Sequence, residues 1–289
     1  MKQLQVLLSM AVAACLILSC VPQAQPNPIV TSVPPQTSTI TFTTTAPTAT
    51  ANTTPTPRPT LTASPIPDWV TSFAEPILKA IENQQPRFQD DFSNPNSGWQ
   101  IGEVNVVHSW SQATPPVPVD HSVGERGYID GEYFIVAEKS CVGTEPNPHV
   151  GAYLDFVVEF DVRFFSGAFG NWGILFRKND KGTYNFIGFP ASHTVMFMKA
   201  DQTNPGGTVL ATYSGNQIKS GKEWNHMLLI VRGGKMAAYA NGTPILYAED
   251  KNITDDFKLG RLAVHSCTER TPPEVRWDNM KIWDIYGLP

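Results

Sequence analysis

The stretch Val157-Val158-Glu159-Phe160-Asp161-Val162-Arg163-Phe164-Phe165 alternates apolar and charged side chains with a period of two, the signature of a strand buried on one face only. Extended back to Tyr153, one face reads Leu154, Phe156, Val158, Phe160, Val162 and Phe164, and the other reads Tyr153, Asp155, Val157, Glu159, Asp161 and Arg163. The first set is expected in a core and the second on a polar sheet face.

Outward from this strand the same period recurs between frequent turn signals, among them Asn94-Pro95-Asn96-Ser97-Gly98, Gly124-Glu125-Arg126-Gly127, Asn204-Pro205-Gly206-Gly207 and Asn241-Gly242. Strands are expected at 133–137, 152–165, 172–177, 184–189, 194–198, 224–232, 235–240, 245–248, 260–265 and 275–283. So many short strands over about 200 residues imply an all-β domain at 85–289, an antiparallel two-sheet sandwich around a single core. The segment from Val104 to Asp130, with Pro115-Pro116-Val117-Pro118 inside it, reads as a long insert that either caps a site or covers an edge strand.

Ahead of the sandwich, Asp68 to Gln84 places Trp69, Val70, Phe73, Ala74, Ile77, Leu78 and Ile81 on one helical face. Ser72-Phe73-Ala74-Glu75 fits a capping box that would leave Pro76 in the first turn, whereas a helix beginning at Asp68 would be kinked by Pro76. Such a helix either packs on the following domain or docks a protein partner.

Between Val21 and Pro67, 25 of 47 residues are Thr or Pro and Arg58 is the only charge, so the segment cannot bury enough apolar surface to offset its ordering entropy. It reads as a disordered linker covering 20–67. Before it, Met1-Lys2-Gln3 and the apolar run Leu4 to Leu18 read as a signal peptide at 1–19, too short to span a bilayer comfortably. Ile17-Leu18-Ser19-Cys20 resembles the lipobox of bacterial lipoproteins, which implies cleavage after residue 19, acylation of Cys20 and an extracytoplasmic, membrane-anchored chain; an ordinary cleaved signal is the alternative reading.

Cysteine usage agrees with export. With Cys15 in the signal and Cys20 acylated, Cys141 and Cys267 remain as an even pair, each after a serine and before a Pro-containing loop, and a disulfide between neighbouring strands is expected. A metal site or a nucleophile is the weaker reading, because neither cysteine belongs to a C-x-x-C motif. The whole chain carries 21 basic and 26 acidic residues; losing Lys2 leaves 20 against 26, or −6, with no basic cluster to bind nucleic acid.

Asp90-Asp91-Phe92, Ser97-Gly98-Trp99, Phe156 to Val162, Trp172-Gly173-Ile174-Leu175-Phe176-Arg177, Tyr239-Ala240-Asn241-Gly242 and Trp277-Asp278-Asn279-Met280-Lys281-Ile282 together resemble a concanavalin A-like, or laminin G-like, jelly roll over about Arg87 to Pro289. The chain is similar to domains of bacterial surface lipoproteins and to the domain named for 3-keto-disaccharide hydrolases. Glucanases of this superfamily carry three carboxylates on one strand, in patterns like E-I-D-I-E-F; here the strand reads E-F-D-V-R-F, with Arg163 in the third place. Arg163 cannot protonate a leaving oxygen, and beside Glu159 and Asp161 it would hold both ionised. A retaining mechanism needs two carboxyl groups about 5 to 5.5 Å apart, one of them protonated.

The resemblance therefore implies a non-catalytic, glycan-binding module, with Glu159, Asp161, Arg163 and Arg177 as hydrogen-bonding partners and Trp172, Tyr184 and Trp110 as platforms. A sugar-active hydrolase and a protein-interaction or structural surface domain are the rival readings. No catalytic residue and no cofactor is assigned. The six histidines, His108, His121, His149, His193, His226 and His265, show no zinc-ligand spacing, and only Asp90 or Asp91 with Asp278 is a candidate for structural calcium.

Overall fold

The computed structural model describes residues 66–108, 120–144, 152–167, 169–178, 181–201, 204, 206–254, 261–268 and 271–288. The expected signal peptide, Cys20, the linker up to residue 65 and Trp110 lie outside them. In chain order the strands are β1 Phe88–Asp90, β2 Gly102–His108, β3 Asp120–Ile129, β4 Glu132–Lys139, β5 Cys141–Thr144, β6 Phe156–Ser166, β7 Gly170–Lys178 and β8 Gly182–Phe189. They continue as β9 Thr194–Asp201, β10 Thr208–Ser214, β11 Asn225–Arg232, β12 Lys235–Ala240, β13 Thr243–Glu249, β14 Arg261–Thr268 and β15 Glu274–Asp284.

Their pairings are antiparallel throughout. One sheet has nine strands, ordered β13-β12-β11-β6-β15-β4-β3-β2, with β1 also on β15; the other has six, ordered β10-β9-β8-β7-β14-β5. This is the expected jelly-roll sandwich. Its core lies between the sheets, where Phe156, Val158, Phe160, Val162 and Phe164 of β6 share one cluster with Trp172, Ile174 and Phe176 of β7. Trp277 of β15 meets Phe160 at 5.4 Å and Trp172 at 6.1 Å between ring centroids.

The alternation fails at three places, each for a physical reason. Tyr153 is buried in the core and Leu154, expected there, is only half-buried, because β6 begins only at Phe156 and the residues before it are free of the strand's alternation. The Tyr153 ring packs on Phe156 at 5.9 Å and beneath the Arg87 guanidinium. Val157 points to the outer face as expected but is also buried, because the N-terminal helix covers it.

That helix differs from the expected form. A π-helical turn, Val70–Ala74, runs into α1, Glu75–Ile81. Ser72 is no N-cap, since its hydroxyl donates back to the Asp68 carbonyl at 2.7 Å. Pro76 has no N–H for the carbonyl four residues earlier and its ring would crowd that group; the wider turn, in which Glu75 N–H reaches Val70 O, relieves the conflict. Phe73, Ala74, Ile77 and Ile81 pack against Val157, Ile230, Ala237 and Ile285 on the outer face of the nine-stranded sheet. Of the two roles open to this apolar face, packing on the following domain is the one it takes.

The expected insert from Val104 to Asp130 is largely sheet: β2 and β3 form one edge of the nine-stranded sheet, and residues 109–119 between them lie outside the described residues. The turn signal at Gly124 to Gly127 falls inside β3. Gly124 is there for close approach, since a Cβ on it would come within 2.0 Å of the Val136 carbonyl oxygen. Cys141 and Cys267 are bonded, and they sit directly opposite each other on β5 and β14.

Candidate functional site

The polar face of β6 takes its neighbours from strands far away in sequence. Register sets His226 of β11 beside Asp161, and Lys281 of β15 beside Glu159. His226 Nδ1 lies 2.8 Å from Asp161 Oδ1, and its Nε2 is 3.7 Å from Glu159. Asn279 donates to the other Asp161 oxygen at 2.9 Å, and Lys281 Nζ is 3.4 Å from Glu159. Both carboxylates are therefore already paired.

Arg163 does not hold these two carboxylates, contrary to what the spacing along β6 suggests. It pairs with Glu132 of β4, and its guanidinium lies 4.3 Å from the Trp224 ring centre. Glu132 also takes Arg276, at 3.3 Å. β15 lies between β6 and β4 and sets Arg276 directly opposite Arg163, so Glu132 takes the two neighbouring guanidinium groups together.

Electrostatics separate the carboxyl groups of this face. Burial pushes Asp161 up, but hydrogen bonds from His226 and Asn279 outweigh it and hold the group below the ordinary carboxylate range. The hydrogen bond to Asp161 raises His226 above its ordinary value despite partial burial. Asp278 is raised, first by burial and then by the like charges of Asp161, Glu132 and Asp91.

Trp172, Arg177 and Tyr184, expected beside this stripe, are not on it. Trp172 and Tyr184 are fully buried between the sheets. The Tyr184 hydroxyl donates to Asp250 at 2.6 Å, and Lys199 reaches the same oxygen at 2.9 Å. Arg177 is buried too, donating through Nη2 to the Leu154 carbonyl at 2.9 Å and lying 3.4 Å from Asp155. These three side chains hold the sandwich together and present no platform, so Glu159, Arg163 and Arg177 do not line one groove.

Of the calcium candidates, Asp91 is near enough to Asp278 for its like charge to act on it, and Asp90 and Asp91 both accept local hydrogen bonds. Asp90 accepts from the Trp99 indole at 2.9 Å and from Phe92 N–H, and Asp91 accepts from Ser93 within its own turn. Among the described residues no group of three or more His, Cys, Asp or Glu stands close enough together to hold a metal ion.

The stripe also contains residues that its reading from sequence omits: Glu132, Trp224, His226, Asn279 and Lys281. His226 carries a weak signal, as the polar member of an otherwise apolar strand. The others become visible only once the pairing of β4, β11 and β15 is known.

Residues 148–283 match the family described as the 3-keto-alpha-glucoside-1,2-lyase-like domain. The matched part runs from just before β6 to β15, so it includes most of the stripe. No curated protein matches the chain. Among solved structures, the chain is similar to a carbohydrate-binding module, CBM66, from Bacillus subtilis, at 17% identity over 64% of this chain and 96% of that one, with a TM-score of 0.40. It is also similar to a laminarinase from Rhodothermus marinus, at 8% identity over 69% and 97% of the two chains, with a TM-score of 0.48. LamAcat from Zobellia galactanivorans matches at 12% identity over 71% and 100%, with a TM-score of 0.48.

Proposed function

We propose that this domain recognises carbohydrate without cleaving it. The observation that carries the reading is the state of the β6 stripe inside a segment matching a sugar-directed family: Glu159 and Asp161 are engaged by His226, Lys281 and Asn279, and the third position is Arg163. A glycosidase needs one carboxyl group protonated and one free to attack or to activate water, and this strand offers neither. The test is a titration of the full chain against a polysaccharide and oligosaccharide panel, with released reducing sugar measured alongside. Saturable binding without release is the expected result, and catalytic release overturns it.

A sugar-active lyase or hydrolase is the second reading, favoured by one observation. Asp161 and Asp278 stand opposite each other in register and are shifted in opposite directions, a pattern that separates acid from base in many active sites. Turnover of a 3-keto-disaccharide, lost in His226→Ala, would establish it.

The domain is further read as extracytoplasmic, tethered through acylated Cys20 and a Thr/Pro-rich stalk. Cys20→Ser is expected to move the chain from the membrane fraction to the soluble fraction and to abolish labelling by a radioactive fatty acid. Unchanged membrane recovery and labelling would refute the anchor.

A further inference from the structure

The outer face of the six-stranded sheet is built differently from the stripe. Pairing sets Met196, Ile187, Gly173, His265 and Gly143 in one row across β9, β8, β7, β14 and β5. The next row is Met198, Asn185, Leu175 and Ala263. Their strand neighbours Val195, Phe197, Trp172, Ile174, Phe186 and Val264 lie in the core, so the two rows face outward. Neither row carries a charged side chain. The N-terminal helix packs on the other sheet and so does not cover them.

Two polar side chains in these rows are more than nine-tenths buried, His265 and Asn185, each 7% exposed. His265 Nε2 and Asn185 Oδ1 have no hydrogen-bond partner, and neither does Asn171 Oδ1 on the same face of β7. A buried polar atom left without a partner forfeits its hydration for nothing; others occur elsewhere in the domain, but here three acceptor atoms share one uncharged outer face. Gly173 leaves His265 its place: a Cβ there would come within 2.2 Å of Nε2. Burial holds the imidazole neutral, and its Nδ1 faces the disulfide sulfur of Cys267 at 3.5 Å, which can only accept, so Nε2 is left as an uncharged acceptor.

The geometry points to this face, not the charged stripe, as the site of ligand binding, and to an uncharged, hydroxyl-bearing sugar ring as its ligand. The inference rests on the carbohydrate reading and adds the place and the ligand class. Sugar hydroxyls both donate and accept, so they can satisfy His265 Nε2 and the two amide oxygens, while Met196, Met198 and Leu175 cover the apolar faces of the ring. A carboxylated or sulfated sugar would find no cation in either row.

The test is calorimetric titration of the full chain with neutral gluco-, galacto- and xylo-oligosaccharides and with oligogalacturonate and sulfated oligosaccharides, paired with NMR of methionine methyl and histidine ring signals. Expected are saturable binding of a neutral sugar with shifts at Met196 and Met198, and affinity reduced roughly tenfold or more in Asn185→Ala and His265→Gln, from loss of a hydrogen bond to a buried polar atom. Binding that moves the His226 ring and leaves both methyls unmoved, or that selects charged sugars, overturns the site while the carbohydrate reading stands. Binding of no sugar overturns both. The methyl shifts are read on the unaltered chain, so they decide even if a variant fails to fold.

Discussion

Replacing Cys141 and Cys267 together by serine is expected to lower the melting temperature of the domain by roughly 10 to 20 °C. The bond closes a loop with a sequence separation of 126, and the chain-entropy model assigns such a closure about 4 to 5 kcal/mol. β5 is a four-residue strand at the edge of its sheet, paired with β14, so without the bond only a short ladder holds it there. Differential scanning calorimetry of the oxidised chain and the double variant measures the effect. A difference below about 3 °C would show that the reduced, unfolded chain gains little freedom from the cut.

Acid is expected to destabilise the domain through His265. Burial lowers its imidazole from an ordinary value of 6.5 to about 4 in the folded state. The folded chain therefore binds fewer protons than the unfolded chain between these values, so stability is full above pH 6.5 and falls as pH drops toward 4. The loss approaches about 3 kcal/mol. His226 works in the opposite sense: its raised value adds stability at low pH that is lost as pH rises through the folded value. Comparison with His265→Leu isolates the first effect, because His226 is common to both proteins. Urea denaturation from pH 7 to pH 4 should show a flatter profile for the variant, and parallel profiles would refute a buried neutral imidazole.

Much of the frame is legible in the amino-acid order because local physics writes it. The period of two from Phe156 to Phe164 puts the right residues in the core, and the three-and-four spacing from Trp69 to Ile81 marks the helix face that packs on the sheet. Cys141 and Cys267, the even pair left once Cys15 and Cys20 are assigned to an expected leader and anchor, are bonded. Legibility fails where the determining partner is remote. Gly124 and Gly127 read as a turn because nothing local shows β4 crossing over them. Trp172 and Tyr184 read as platforms because an aromatic ring on a strand looks the same in sequence whether it faces a core or a ligand.

Periodicity and composition within short spans suffice for the all-β class, the sandwich core, the packed helix and the cysteine pair. The partner of each charge, and with it the character of each sheet face, depends on the assembled fold. His226 meets Asp161, Arg163 meets Glu132, and His265 lies over Gly173 because strand register brings together residues at least 31 positions apart, and no local pattern encodes that register.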